Sequence, residues 1–168
     1  MSGIESFFGT PGFEILQSAR IDFSRAGLLQ RVPSATGNRR TWTFSCWFKM
    51  GEINDNNRTF YDFGGTNHTY NGAFIRGDRR LQVSDYDGSA DRYYQSALDI
   101  TDPSAWYHLV VAFDTTQGTD TNRVKVYLNG TQITMNNTGG HPAQNEDTYA
   151  NLVSSKMSVG AGNDGGAP

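Results

Sequence analysis

The acidic residues are the side chains of this sequence that could most readily support catalysis. Hydrolysis of a glycosidic bond needs two carboxyl groups, one on either side of the scissile bond. The sequence contains four glutamates, Glu5, Glu14, Glu52 and Glu146. None of them lies two or four positions from another acid on a predicted strand, so no strand face carries an acid pair. We therefore assign no catalytic residue and expect the protein not to be an enzyme.

The histidines and the single cysteine do not form a recognisable reactive group either. His68, His108 and His141 are dispersed, and the sequence has no zinc-binding spacing, nucleophile elbow or phosphate-binding loop. His108 lies within a predicted strand, where packing or hydrogen bonding explains it better than a role as a base. Cys46 is the only cysteine, which excludes an internal disulfide, and its place on an apolar strand face indicates a small core residue.

Carbohydrate recognition is a second chemistry that the sequence allows. A sugar site combines an exposed aromatic ring with amide and carboxylate groups, on loops at the rim of a fold. Four tyrosines fit this description: Tyr70, Tyr86, Tyr93 and Tyr94. The same four residues can instead be cross-strand packing partners, and the sequence leaves both interpretations open.

Alternating apolar and polar residues predict the strands that must position these groups. The strongest strand is Thr41–Lys49, which carries aromatic residues and Cys46 on one face. Trp47 interrupts the opposite, polar face, which predicts that this face is partly covered as well. The next strongest strands are Ala105–Asp114 and Arg123–Leu128.

Turn residues and weaker alternation complete the predicted fold. Asn129-Gly130 predicts a type I′ hairpin turn into Thr131–Thr134, because both turn positions need positive φ. No segment has the 3.6-residue periodicity of a helix, and at most one helical turn is expected near Pro103. These short strands predict an all-β fold, a two-sheet antiparallel jelly-roll sandwich. Further strands are predicted at Ser18–Phe23, Arg58–Phe63, Ala73–Ile75, Leu81–Tyr86, Tyr93–Ser96 and Lys156–Val159.

Length and charge fit one domain with no nucleic-acid partner and no membrane span. A chain of 168 residues can bury a core without disulfides or metal. We expect residues 1–17 to form an N-terminal arm, which either covers the domain's own core or docks onto a neighbour, and residues 18–168 to form the sandwich. The net charge is −3 and the basic residues are scattered, whereas nucleic-acid binding needs a clustered basic face. No apolar run approaches 18 residues and no secretory signal is apparent.

Three strand motifs resemble the laminin-G and pentraxin family of concanavalin A-like domains. They are Trp42-Thr43-Phe44-Ser45-Cys46-Trp47-Phe48-Lys49, Trp106-Tyr107-His108-Leu109-Val110-Val111 and Val124-Lys125-Val126-Tyr127-Leu128-Asn129-Gly130. Together the matching segments cover most of residues 18–161. The resemblance implies a binding domain. The family usually continues after the Val-Gly strand with a further strand, so we expect a sandwich that is truncated near Pro168 or completed by a neighbouring chain.

Three further segments, Pro33–Ser45, Asp102–His108 and Asp114–Gln117, resemble laminin-G-like proteins encoded by bacteriophages. This resemblance implies a structural component of the virion: a fibre, a spike, or a capsid or tail decoration. Its implied partners are other virion proteins, further copies of itself and host-surface glycans. The implied location is the virion, after synthesis in the host cytoplasm and release by lysis, which agrees with the lack of a secretory signal and disulfides. A free lectin-like carbohydrate-binding module is the alternative.

Calcium is the one cofactor that the acidic residues leave open. Some laminin-G and pentraxin modules hold calcium at the sandwich rim through Asp and Asn, a role that Asp62 and Asn67 could take here. The segment Asp85–Asp91 is rich in oxygen ligands, but it lacks the glycine position and terminal glutamate of an EF-hand, and a hairpin explains it better. Asp114 resembles the metal strand of legume lectins, but Ala112 stands where that strand has a glutamate. We therefore assign no cofactor and no metal ligand.

Overall fold

A computed structural model of the protein describes residues 19, 21, 27–51, 56–64, 71–153 and 155–160. A single 3₁₀ turn at Asp120–Asn122 is the only helical element in these ranges, and none of them holds a helix able to cross a membrane. The strands, in chain order, are β1 (Leu29–Arg31), β2 (Thr41–Phe48), β3 (Arg58–Gly64), β4 (Gly72–Ile75), β5 (Arg80–Tyr86), β6 (Asp91–Asp99), β7 (Tyr107–Asp114), β8 (Val124–Leu128), β9 (Thr131–Gln132), β10 (Met135–Thr138) and β11 (Lys156–Val159).

The strands form two antiparallel sheets packed face to face. The larger sheet has seven strands in the order β1-β11-β3-β4-β5-β6-β10, and the smaller has four in the order β2-β7-β8-β9. A bulge between Thr59 and Tyr61 interrupts the register of β3 with β4. This is the predicted two-sheet antiparallel sandwich, with the apolar core between the sheets.

Aromatic rings from both sheets meet at the centre of the core. Trp42 of β2 stacks on Phe113 of β7, with ring centroids 4.4 Å apart and an angle of 11° between the planes. The rings of Tyr61 and Phe63, from the opposite sheet, approach Trp42 edge-on at 5.9 and 5.1 Å. Each such pair contributes about 0.5–1.5 kcal/mol beyond the area that it buries. The alternation in β2 therefore predicted its inward face correctly.

The predicted strands from Thr41 onward are present, although Thr131–Thr134 contributes only the two residues of β9. The type I′ turn is confirmed, because φ is 52° at Asn129 and 80° at Gly130. Of the strand predicted at Ser18–Phe23, only Ala19 and Ile21 are described, and neither lies in a strand. The expected N-terminal arm, residues 1–17, lies outside the described residues.

Three elements were not predicted because their sequences carry no strand or helix pattern. β1 (Leu-Gln-Arg) and β10 (Met-Asn-Asn-Thr) are short, largely polar edge strands, which pair with β11 and β6 respectively. The 3₁₀ turn at Asp120–Asn122 is the third. The turn expected near Pro103 is present, and there the Asp102 carboxylate accepts a hydrogen bond of 2.8 Å from the Ser104 backbone N–H.

Hydrogen bonds join the loop between β10 and β11 to β2 and to the residues that precede it. The Thr148 carbonyl oxygen accepts a 2.6 Å hydrogen bond from Arg39 Nε, and the Thr148 hydroxyl accepts one of 2.9 Å from Trp42 Nε1. Arg40 forms an exposed ion pair of 2.7 Å with Asp147. These contacts hold the loop over one end of the sandwich, where it reaches the polar residues of β5 and β6.

Candidate functional site

A buried arginine gathers three carboxylates at that end of the sandwich. Arg92 of β6 is 5% exposed, and its guanidinium contacts Asp85 of β5, Asp87 at 2.7 Å and Glu146 at 2.7 Å. Asp85 lies directly opposite Arg92 in the register of β5 with β6. Glu146 comes from the loop after β10, so the cluster ties this loop to the larger sheet. Its one cation faces three acids.

Two of the three carboxyl groups around Arg92 have shifted pKa values. Burial raises the pKa of Asp85 to about 6, because the attraction of Arg92 only partly offsets the loss of water. Asp87 has its pKa lowered instead, chiefly by the backbone N–H of Ala90 and the hydroxyl of Ser89. Glu146 accepts hydrogen bonds from both terminal nitrogens of Arg92 and one of 2.7 Å from the Ala143 backbone N–H. These bonds give Glu146 a structural role. The other three glutamates, Glu5, Glu14 and Glu52, lie outside the described residues.

In the two acidic loops considered for calcium, the Asp87 and Asp114 carboxylates accept hydrogen bonds from residues of their own turns. The Asp87 carboxylate accepts 2.7 Å hydrogen bonds from the backbone N–H groups of Ser89 and Ala90, and φ at Gly88 is 100°, as expected for the hairpin. Asp114 likewise accepts hydrogen bonds from Thr116 and Gln117.

Only one residue of the proposed calcium pair at the rim is described. Asp62 is buried on β3, and Asn67 falls outside the described ranges. The described part of the chain holds no group of three His, Cys, Asp or Glu side chains that could bind a metal. Calcium binding by Asp62 and Asn67 therefore stays a prediction.

Three of the four tyrosines that were candidates for sugar binding are described, and they have different surroundings. Tyr94 is only 2% exposed and belongs to the core, as the packing alternative predicted. Tyr86 packs on Tyr149 with ring centroids 6.2 Å apart, and Tyr93 is half-buried on β6. Tyr70 lies outside the described residues. Cross-strand and core packing thus explains the described tyrosines better than stacking on a sugar.

Tyr94 nevertheless lies at the wall of a cleft among the described residues. The cleft opens at the side of the sandwich, between the β8–β9 hairpin of the smaller sheet and β10 of the larger. Its volume is about 320 Å³, within the range of small-ligand sites. It is lined by Tyr94, Thr121, Val124, Lys125, Val126, Gln132, Ile133, Thr134, Met135, Asn137 and His141.

The polar groups of the cleft are held in place by the loop after β10. The Tyr94 hydroxyl lies 3.4 Å from both the Gly140 carbonyl oxygen and His141 Nδ1. Burial, followed by the charge of Asp85, raises the pKa of Tyr94, so this hydroxyl keeps its proton and can donate. Asn137 Nδ2 donates a 2.7 Å hydrogen bond to the same Gly140 carbonyl. The cleft therefore offers fixed amide, hydroxyl and imidazole groups beside an apolar wall.

The outer face of the smaller sheet carries a second group of aromatic residues. Trp47 stacks on His108 across β2 and β7, with centroids 4.8 Å apart, and the Ser45 hydroxyl lies 2.9 Å from His108 Nε2. This confirms His108 as a packed, hydrogen-bonded strand residue. Trp47 is 55% exposed and Trp106 is 56% exposed. Trp47 is thus covered only in part, by His108. Its place on the otherwise polar face of β2 marks an exposed aromatic surface.

Cys46 has the role that its position predicted. It packs against the core from β2, and burial raises the pKa of its thiol to about 11, which keeps it protonated and unreactive at neutral pH.

The two packed antiparallel sheets, the Trp–Tyr–His strand at β7 and the Asn-Gly hairpin define a lectin-like β-sandwich. The chain belongs to the concanavalin A-like lectin/glucanases superfamily, since the laminin-G model of that superfamily matches residues 29–166. Membership of this lectin-like family suggests carbohydrate binding or adhesion. Among curated proteins, no sequence matches this chain.

A solved structure supports the fold independently. The native heptameric SAP-like pentraxin from Limulus polyphemus is similar with a TM-score of 0.54 and 16% sequence identity. The match covers 82% of this chain but only 58% of the pentraxin chain. At this identity the likeness concerns the fold alone.

Proposed function

We propose that this protein is a non-catalytic, lectin-like module of a bacteriophage virion, where it is a structural component that also adheres to host-surface glycans through the side cleft. The cleft carries this proposal, because it combines a small-ligand volume with amide, hydroxyl and imidazole groups. Sugar hydroxyls are recognised by such donors and acceptors, held next to apolar side chains. The chemistry of the lining therefore matches the binding class that the family suggests.

The non-catalytic part of the proposal rests on the described acids. Glu146 and Asp85 share the Arg92 guanidinium, and Asp87 and Asp114 are bound into their own turns. None of these four carboxylates lines the cleft. A bound sugar there would meet Lys125, Asn137 and His141 but no general acid or base of the paired kind that glycoside hydrolysis needs.

The glycan proposal is tested with neighbouring asparagines on one strand. Asn137 lines the cleft, whereas Asn136 is exposed on the same strand and is not part of the lining. A glycan array identifies a ligand for the wild-type chain, and titration calorimetry then compares Asn137→Ala, Gln132→Ala and Asn136→Ala. We expect at least tenfold weaker binding for the first two variants and unchanged binding for the third. Equal affinity in all three variants would place the glycan elsewhere.

The virion part rests on the resemblance of residues 33–45, 102–108 and 114–117 to phage-encoded laminin-G-like proteins. Electron microscopy of purified particles labelled with an antibody against this domain tests it. Regular labelling at heads, necks or fibres supports a virion component. Protein found only in the soluble fraction would favour the free lectin-like module, and so would a monomer that still binds glycan after deletion of residues 1–17.

A further inference from the structure

The apolar wall of the cleft is aliphatic. Val124, Ile133 and Met135 are half-buried, pack against the core and line the cleft. Tyr94 is almost fully buried, so the face of its ring is not available for stacking. A sugar ring that stacks needs a flat aromatic face, whereas aliphatic side chains enclose a small alkyl group. The wall therefore suits an alkyl substituent of a sugar better than the face of the sugar ring.

A backbone N–H of β8 faces the cleft side of the smaller sheet. The Asp114 N–H donates a 2.8 Å hydrogen bond to the Arg123 carbonyl oxygen, so the backbone groups of position 123 point to β7. Because this direction alternates along a strand, those of Val124 and Val126 point away from β7. The Val126 carbonyl oxygen accordingly accepts a 3.0 Å hydrogen bond from the Ile133 N–H. β9 pairs with later residues of β8, so no described strand faces the N–H of Val124.

Asn137 supplies an acceptor on the other wall of the cleft, which β10 forms. Its Nδ2 donates a 2.7 Å hydrogen bond to the Gly140 carbonyl oxygen, and this bond fixes the orientation of the side-chain amide. The Oδ1 atom then remains as an acceptor on a residue that lines the cleft. The two walls thus differ in polarity: the backbone of β8 offers a donor, and the side chain on β10 offers an acceptor.

Arg123, which directly precedes Val124, holds the two walls together. This residue is buried, and its Nη1 donates a 2.6 Å hydrogen bond to the Pro142 carbonyl oxygen in the loop after β10. Nε and Nη2 of the same guanidinium donate to the carbonyl oxygens of Gln117 and Gly118, at 2.9 and 3.2 Å. The donor and the acceptor are therefore in place before a ligand binds, which reduces the entropy that binding costs.

We propose that the cleft selects sugars that carry an acetamido group, an inference that rests on the proposed glycan site. A secondary amide is planar and trans, so its N–H and its carbonyl point in opposite directions. The acetamido carbonyl oxygen accepts the Val124 N–H, and the acetamido N–H donates to Asn137 Oδ1. The methyl group packs against Ile133 and Met135. A hydroxyl in place of the acetamido group would reach one wall and leave the aliphatic side chains without a contact.

Matched sugars test the selection on the full chain. The ligands are the methyl β-glycosides of N-acetylglucosamine, glucose and glucosamine, and NMR titration of the isotope-labelled protein measures their dissociation constants. We expect N-acetylglucosamine to bind tighter than glucose by a factor of about ten or more, because a site built for an amide rejects an analogue that leaves its polar groups unpaired. Glucosamine, an ammonium ion at neutral pH, should bind no better than glucose, since the described lining includes Lys125 and His141 but no carboxylate.

The two ways in which the inference can fail are distinguishable from failure of the glycan site. Equal affinity for glucose and N-acetylglucosamine, or a preference for deoxy sugars that offer a methyl group without an amide, leaves the glycan site in place and overturns the selection. Binding of neither sugar also overturns the selection, and the glycan array then decides the function. Hits without acetamido groups keep the glycan function, whereas an array without hits overturns it as well.

Two further readouts assign the selection to this cleft. Asn137→Ala removes the acceptor, and Thr138→Ala is the control, exposed on the same strand and outside the lining. The ratio of the dissociation constants for glucose and N-acetylglucosamine should fall toward one in Asn137→Ala and keep its wild-type value in Thr138→Ala. In the wild type, the Val124 amide proton should shift downfield with N-acetylglucosamine and not with glucose. An unchanged ratio in Asn137→Ala, or a Val124 amide that does not respond, overturns this binding mode.

Discussion

Glu146 holds both terminal nitrogens of Arg92, at 2.7 and 2.9 Å, although the two residues are 54 positions apart in the sequence. This pair fixes the loop after β10 against β6. The same loop carries Gly140 and His141, which face the Tyr94 hydroxyl in the cleft. The ion pair is therefore the support of the candidate binding site, and its loss should loosen the cleft as well as the fold.

Glu146→Gln is expected to lower the free energy of unfolding by about 1–3 kcal/mol, because it removes a charged partner from a buried guanidinium. Asp147→Asn is the matched control. Its ion pair with Arg40 is exposed on both sides, so a change below about 0.5 kcal/mol is expected. Urea unfolding of the three proteins measures both values. Similar losses for the two variants would contradict the role given to Glu146.

Asp85 predicts a pH dependence of stability with a definite sign. Its pKa rises from 3.8 to about 6 on folding, so the folded state holds the proton more tightly. The contribution of Asp85 is fully present below pH 3.8 and is lost as the pH rises through 6. We expect the unfolding free energy of wild type minus that of Asp85→Asn to fall over this interval, by at most about 3 kcal/mol. Denaturant unfolding across this pH range checks it, and a difference that rises with pH would refute the assignment.

Two adjacent glycines separate backbone strain from steric conflict. Gly139 and Gly140 have nearly equal φ values, 87° and 86°. A Cβ at Gly139 would lie 2.4 Å from the Asp91 carbonyl oxygen, whereas a Cβ at Gly140 meets nothing within 4 Å. Gly140→Ala should cost about 1 kcal/mol from the left-handed conformation alone, and Gly139→Ala should cost clearly more. Thermal unfolding compares them; equal losses would mean that the β10 loop yields without cost.

Truncation of Trp42 and of Trp106 is expected to change stability by very different amounts. Trp42→Ala removes the ring that stacks on Phe113 and should destabilise the fold by about 3–5 kcal/mol. Trp106→Ala removes an exposed ring and should change stability by less than about 1 kcal/mol. Chemical denaturation measures both. A large loss at Trp106 would show that this ring packs on a further part of the chain.

Local sequence patterns predicted the strands and the hairpin, because the alternation in β2 and the Asn129-Gly130 pair are properties of a few adjacent residues. The cleft could not be predicted from such local patterns. Tyr94 and His141 are 47 positions apart, and the polar strand β10 that brings their surroundings together has no apolar alternation. Burial of Tyr94 and the sharing of Arg92 by three acids likewise follow from the packing of distant segments, for which single residues gave no sign.

The pairing of β1 with β11 sets an order on the folding of this protein. Leu29 faces Val159 in the larger sheet. β1 is synthesised early and therefore cannot pair until β11, which is synthesised late, is available. Contacts of such long sequence separation slow folding, because the chain must close large loops before the contacts stabilise it. During synthesis the edge of β3 therefore stays open until β11 has left the ribosome, and the larger sheet is completed only after most of the chain has emerged.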